Sequence, residues 1–283
     1  MDSKYIDITL KSQNKTLKIG QKHSLQLKEA EGLETVETEH SMSDNIQWQG
    51  STIDHKHISY RSIDLTLLDQ DVKNAETIRQ QVMAFFNPNS AGTLTIDYSG
   101  FEREIAYVVK SFKEKDRNLW EPFECMVVLV CEDPYYKSII TESSEISTWI
   151  GGLKFPFKLP FHLKRRGEPR VNIINSGHVE TPVQIIFKGP AYNPTVKLLQ
   201  TGEYIRVKRE LTSDDTLYID TTFGVNSVEI ERDGVRENAF SAIDWRSDFF
   251  QLRVGDNLVE YTTENQLVPQ SVEIRFRERY LGA

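Results

Sequence analysis

Apolar residues recur at every second position along most of this chain, and that period leaves few folds open. Ile63, Leu65 and Leu67 alternate with Ser62, Asp64 and Thr66. Leu94, Ile96 and Tyr98 alternate with Thr95 and Asp97, and Ile105, Tyr107 and Val109 follow after Ser99-Gly100. Val272, Ile274 and Phe276 alternate with Glu273, Arg275 and Arg277. A period of two puts one face of each strand in a core and the other in water, so the chain is read as mainly β. Ser99-Gly100 is the turn of a hairpin.

One segment has a different period. Between Asp71 and Phe86, the residues Ala75, Ile78, Val82 and Phe85 make a single stripe at helical spacing. Asp71 or Asn74 is placed to cap its start, and Asn87-Pro88 stops it. The stripe predicts a helix packed on a sheet.

Two stretches carry neither period. From Lys28 to Asn45 one cation faces Glu29, Glu31, Glu34, Glu37, Glu39 and Asp44, a net charge of −5. Such a segment is either disordered or an arm that something else orders. The second begins at Asp133-Pro134-Tyr135-Tyr136 and runs through Ser/Thr-rich sequence and Gly151-Gly152 to the prolines near Phe155. That composition marks a boundary. It predicts an N-terminal domain over 1–137, a linker over 138–152 and a C-terminal domain over 153–283.

Composition limits the chemistry. With 34 Lys and Arg against 42 Asp and Glu, the 283 residues carry a net charge of −8, a poor balance for holding phosphate backbones. No secretory signal follows the opening residues, and no run approaches the roughly 18 apolar residues of a membrane helix, so cytoplasmic folding is expected. Cys125 and Cys131 fall on one face of a presumed strand, about 20 Å apart. Disulfide geometry needs Cα atoms within about 7 Å, so both are read as small buried hydrophobes.

Candidate sites are few. His55 and His57 would point the same way on a strand, but a zinc site needs three or four ligands and no partner cluster is evident, so the pair is read as solvated. Asp214-Asp215 lies in a turn-like Thr-Ser-Asp-Asp. Lys154 to Arg170 holds six cations against Glu168, with Phe155, Phe157 and Phe161 between them. That pattern can bind single strands, although its prolines argue for a stiff linker. No nucleophile, phosphate-loop or metalloprotease motif occurs. The sequence therefore names no catalytic, cofactor-binding or metal residue, and no enzyme is expected.

The order of certain elements resembles a known family. The capped helix ending in Phe85-Phe86-Asn87-Pro88 is followed by Gly92-Thr-Leu-Thr-Ile96, then Val127-Val-Leu-Val-Cys131 closing on Asp133-Pro134-Tyr135-Tyr136. Farther on come Asn175-Ser-Gly177, Pro182, Gly189 with Asn193-Pro194, Leu217-Tyr-Ile-Asp-Thr221, and Phe249 to Asn257, the last read as an apolar strand closing on Gly255. Together they are similar to the distal tail proteins of siphophages. That resemblance implies an N-terminal β-sandwich-like domain with one helix and a C-terminal galectin-like β-sandwich. It implies a homo-hexameric ring on the tail tube protein at the virion tail tip, assembled in a bacterial cytoplasm. The ring would carry a tail-associated hub or lysin protein below and receptor-binding proteins outside. DNA would pass the channel without being specifically bound, and an acidic lumen would not retain it. Two other readings compete. One is a carbohydrate-binding module stacking cell-wall polysaccharide on Trp149 or Trp245; the other is a tail-borne hydrolase.

Overall fold

The computed structural model describes residues 5–36, 38–45, 49–69, 71, 73–116, 118, 121–147, 149–150, 165–166, 169–264 and 271–283. It divides into two compact units, one of residues 1–139 with 280–283 and one of residues 140–279.

The first unit contains β1 (Ile6–Ser12), β2 (Lys15–Ile19), β3 (Leu25–Glu31), β4 (Glu39–Asp44), β5 (Ser51–His57), β6 (Arg61–Asp69), α1 (Ala75–Phe85), β7 (Ala91–Tyr98), β8 (Phe101–Glu114), β9 (Phe123–Cys131) and β10 (Tyr136–Ser138). Its main sheet has the order β2-β1-β7-β8-β9-β6-β3, and β10 adds to β8. The edge strands β2 and β3 approach each other where the Gly20 N–H donates to the Leu25 carbonyl at 3.1 Å. The alternation fixes the register: Leu65 lies opposite Val127, and Ile63 opposite Leu129, all four on the core side. Truncating Leu65 to Ala would cost about 2–5 kcal/mol.

The helix closes the same core with Ala75, Val82 and Phe85. Phe86 meets Phe85 edge-on at 5.1 Å and Phe112 face-on at 6.3 Å. Its start differs from expectation, because neither Asp71 nor Asn74 caps a free N–H of the first turn. Asn74 occupies the cap position without a side-chain cap bond. Asp71 instead accepts from the Lys73 N–H and the Asn74 side-chain amide at 3.0 and 2.7 Å.

The second unit contains β11 (Glu142–Ser147), β12 (Trp149–Ile150), β13 (Arg165–Arg166), β14 (Arg170–Asn175), β15 (Val183–Lys188), β16 (Ala191–Tyr192), β17 (Thr195–Leu198), β18 (Tyr204–Arg206), β19 (Glu210–Leu211), β20 (Asp215–Asp220), β21 (Ser227–Arg232), β22 (Val235–Asn238), β23 (Gly255–Thr262) and β24 (Ser271–Phe276), with β25 (Arg279–Tyr280) at its exit. A sheet of order β11-β24-β15-β20-β21-β22 and a sheet of order β14-β23-β17-β18 share one core. Two antiparallel sheets around one core make a sandwich. Ile185, Leu217 and Val272 line it from the first sheet, and Val196 and Val259 from the second. The fold is thus mainly β, as the period predicts.

Two segments differ from the sequence reading. The stretch expected as a linker contains β11, which pairs with β24 from Glu142↔Phe276 to Ser147↔Ser271. Among its described side chains Ile146 is the buried one, so Glu142-Ser-Ser-Glu-Ile-Ser147 looks like a linker while serving as an edge strand. The stretch from Phe249 to Val254 is not a strand. Leu252 makes an isolated bridge to Thr181, and the Asn257 side chain takes the backbone beyond it, accepting from the Arg253 N–H at 2.9 Å and donating to the Arg253 and Gly255 carbonyls at 2.7 and 2.9 Å. Gly189 has a close-approach role: a Cβ there would sit 1.9 Å from the Thr212 carbonyl oxygen.

Candidate assembly surfaces

The acidic stretch from Lys28 to Asn45 is two things. Residues 28–31 continue β3 beside β6 across a bulge between Leu27 and Glu29, with the Lys28 Nζ 2.8 Å from Glu124. Residues 39–44 form β4, which pairs only with β5 in a separate two-stranded sheet. Every residue of β4 and β5 is exposed. Its turn is held by local bonds: Ser51 to Asp44 at 2.8 Å, Ser43 to Asp54 at 3.0 Å, and the Asn45 N–H to the Gly50 carbonyl at 3.1 Å. A lone hairpin is marginal in water, and among the described residues no other strand pairs with this arm.

The arm's two faces differ. Met42 lies opposite Ile53, 60% and 47% exposed, so an apolar pair stands in water. Beyond the bulge at Asp54, His57 pairs with Glu39 on the opposite face, where the His55 and His57 rings stack at 6.3 Å. Among the described residues no group of three or more His, Cys, Asp or Glu could hold a metal ion.

The outer face of the main sheet is the second surface. Val108 pairs with Val130, and Met126 sits between Thr66 and Lys113. Val108 and Met126 are exposed, Val128 and Val130 half-buried, and Lys110 and Lys113 flank them. The sheet is therefore apolar on both faces along β9, with Val108 of β8 beside it. The period-2 reading missed this, yet a signal was present: Met126 to Val130 is a continuous apolar run, which marks a strand with two covered faces.

In the second unit the loop after β22 carries Trp245, 80% exposed. Backbone bonds tie that loop along β18: Asp244 N–H to the Arg206 carbonyl at 2.8 Å and Asp248 N–H to the Tyr204 carbonyl at 2.9 Å. The Asp244 carboxylate accepts from the Arg246 N–H and pairs with Lys208 at 3.2 Å, which holds it below the usual carboxylate range. The indole is thus presented by an ordered loop, with the Arg246 guanidinium 4.7 Å from its ring. The side chains of Trp48 and Trp149, and most of Lys154 to Arg170, lie outside the described residues.

The remaining sequence candidates have structural roles. Cys125 and Cys131 are buried free thiols on the inner face of β9, and burial pushes both up to about 12. Asp214 is exposed, whereas Asp215 is buried and starts β20. Arg232 and the Thr212 N–H and hydroxyl all donate to the Asp215 carboxylate.

Residues 176–280 match the family model described as the siphovirus-type tail component, C-terminal domain. No curated protein matches. Among solved structures, the fold is similar to SPP1 Dit (gp 19.1), described as a paradigm of hub adsorption apparatus in Gram-positive infecting phages. The TM-score is 0.70 at 13% identity, over 97% of this chain and 99% of that one. It is also similar to a chain of the phage P2 baseplate in its activated conformation with Ca, with a TM-score of 0.55 at 11% identity, over 98% of each chain. At these identities the structural likeness speaks for the fold.

Proposed function

We propose, from the match of residues 176–280 to the model of the siphovirus-type tail component, C-terminal domain, that this chain is a structural hub protein at the tip of a phage-type tail. The family match carries the reading, and a fold shared from end to end with a phage hub protein extends it to the first unit. Its role is structural rather than catalytic.

In finer terms, the protein forms a closed homo-hexameric ring that joins the tail tube to the tail-associated hub protein and supports receptor-binding proteins. Two features favour assembly through the first unit. Its sheet has a second apolar face along Val108, Val128, Val130 and Met126, and its arm carries a solvent-facing Met42–Ile53 pair. In a ring each copy uses two different patches, and these two are unlike and complementary. The arm bears Glu39, Asp44 and Asp54, while the sheet face bears Lys110 and Lys113. The net charge of −8 suits a channel that DNA leaves freely. Sedimentation velocity with negative-stain imaging of the purified chain tests this. Rings at micromolar concentration are expected; a monomer at every concentration rules out self-assembly of the isolated chain.

One observation favours a second role, glycan binding. Trp245 is held out on an ordered loop at 80% exposure, a form suited to stacking on a sugar ring. A glycan array with the native chain and Trp245→Ala tests it; equal signals dismiss the tryptophan.

A further inference from the structure

The first unit contains a cluster that neither ring nor glycan reading uses. Arg61, at the start of β6, is 4% exposed. Its Nε donates to the Pro134 carbonyl at 2.8 Å, and its Nη1 to the Gly32 and Glu34 carbonyls at 2.7 and 2.8 Å. Its Nη2 donates to the carbonyl of Leu281 at 2.5 Å. The guanidinium also lies 4.7 Å from the centre of the Tyr136 ring. A buried cation is tolerated only when its donors are satisfied, and here backbone carbonyls do that. One of them comes from far along the chain.

The residues around Leu281 are held just as specifically. The Arg103 guanidinium sits 4.0 Å over the Tyr280 ring and donates to the Gly282 carbonyl. The Ala283 N–H donates to the Leu33 carbonyl at 3.0 Å. A side chain at position 282 would meet the Glu34 carbonyl oxygen at 2.9 Å, so the cleft admits glycine there. Tyr280 and Ala283 pack against the core of the first unit. The groups that hold this segment come from residues 33–34, 61 and 103 and from β10, which pairs with β25, all before residue 139.

We propose that the first unit carries a peptide-binding site whose ligand is residues 280–283 of the same chain, and that this unit is complete only once the segment has docked. Residues 140–279 form the other unit, so the receptor is synthesised well before its ligand. Until then Arg61 has a buried N–H without its acceptor, and Arg103 lacks both the Tyr280 ring and the Gly282 carbonyl. The first unit therefore stays open while the second is made. If that unit builds the ring, ring closure waits for the rest of the chain; docking itself does not depend on the ring reading.

The full chain and a chain ending at Arg279 are compared by hydrogen exchange and thermal unfolding. In the shortened chain, amides of β6 and β8 near Arg61 and Arg103 should lose protection. The transition of the first unit should fall by roughly 5–10 °C, with β14 and β23 unchanged. A synthetic peptide of residues 277–283 should restore both by mass action. Should the shortened chain fail to fold, Gly282→Val in the full chain blocks docking alone and should give the same local loss. Unchanged protection around Arg61 in either variant overturns the proposal. So does a weakened first unit that ignores the peptide.

Discussion

The Asp215 carboxylate receives the Nε and Nη2 of Arg232 at 2.7 and 2.9 Å, across the β20–β21 pair where the two residues lie directly opposite. Thr212 adds its N–H and its hydroxyl, both at 2.8 Å, and the Asp215 carbonyl accepts from the Gly189 N–H at 3.0 Å. One buried side chain thus closes a hairpin and a neighbouring turn. The Arg232 bond, ahead of those from Thr212, holds the carboxyl far below its ordinary 3.8. A depressed carboxyl stabilises the fold above its ordinary pKa and loses that contribution as pH falls through the folded value.

Asp215→Ala should therefore destabilise the second unit by about 1–3 kcal/mol, because Arg232 and both Thr212 donors lose the buried carboxylate that accepts from them. Urea unfolding at pH 7 and at pH 3 checks it. The gap between native and variant should narrow at the lower pH; a constant gap would place the effect in packing rather than charge.

How far the sequence could be read follows from where periodicity exists. Leu65, Leu94, Ile105 and Val272 occupy the core faces that alternation assigns, and the stripe through Val82 is the helix that packs there. β4 and β5 were not legible, because a strand exposed on both faces has no apolar period to detect. β11 was hidden for a related reason, with Ile146 the buried one among its described side chains. The Phe249–Val254 stretch misled in the opposite direction: Phe250 and Leu252 are buried, but Leu252 makes an isolated bridge to Thr181 and Asn257 takes the backbone at Arg253, so no strand forms. The role of residues 280–283 was beyond reach, since it depends on carbonyl oxygens that every residue type supplies.

The place of β11 sets the limits of a second-unit fragment. Residues 140–279 keep the six-residue pairing with β24, whereas residues 153–283 strip it and expose the β24 edge. An unpaired edge beside a lost core residue invites aggregation. The longer fragment should unfold cooperatively as a monomer, and the shorter should melt lower or precipitate. Circular dichroism with size-exclusion chromatography decides; equal melting of both would make β11 dispensable.

The first unit should weaken in alkali. Burial raises the thiols of Cys125 and Cys131 from an ordinary 9.0 to about 12, and the Tyr107 hydroxyl from 10.0 to about 12. These groups stay protonated in the fold while the unfolded chain ionises, so stability is full below about pH 9 and declines as pH rises toward 12. Denaturant midpoints at pH 8, 10 and 11 should fall in that order. A Cys125→Ala/Cys131→Ala variant, though weaker at pH 8, should decline less steeply; an equal slope would assign the loss to other groups.

The arm offers the sharpest test of assembly. Residues 30 and 31 pair with Leu65 and Asp64 in the main sheet, so a deletion starting there would damage the fold itself. The separable part is β4 with β5, which pairs with nothing else and buries none of its residues. Replacing residues 39–57 with a short Gly-Ser turn should leave the melting temperature of the first unit within a few degrees, because none of the described residues of β4 and β5 is buried. If the arm lies across a neighbour, its Met42–Ile53 face covers apolar surface there, at roughly 25 cal/mol for each Å² removed from water. Rings of the shortened chain should then form only at higher concentration. The paired change Met42→Ser/Ile53→Ser should weaken them in the same direction while keeping the hairpin and its charges. Sedimentation velocity across a dilution series reads both. Shortened and native chains that close rings at the same concentration would show the arm to be idle in assembly, leaving the Val108–Met126 face to hold the ring by other contacts.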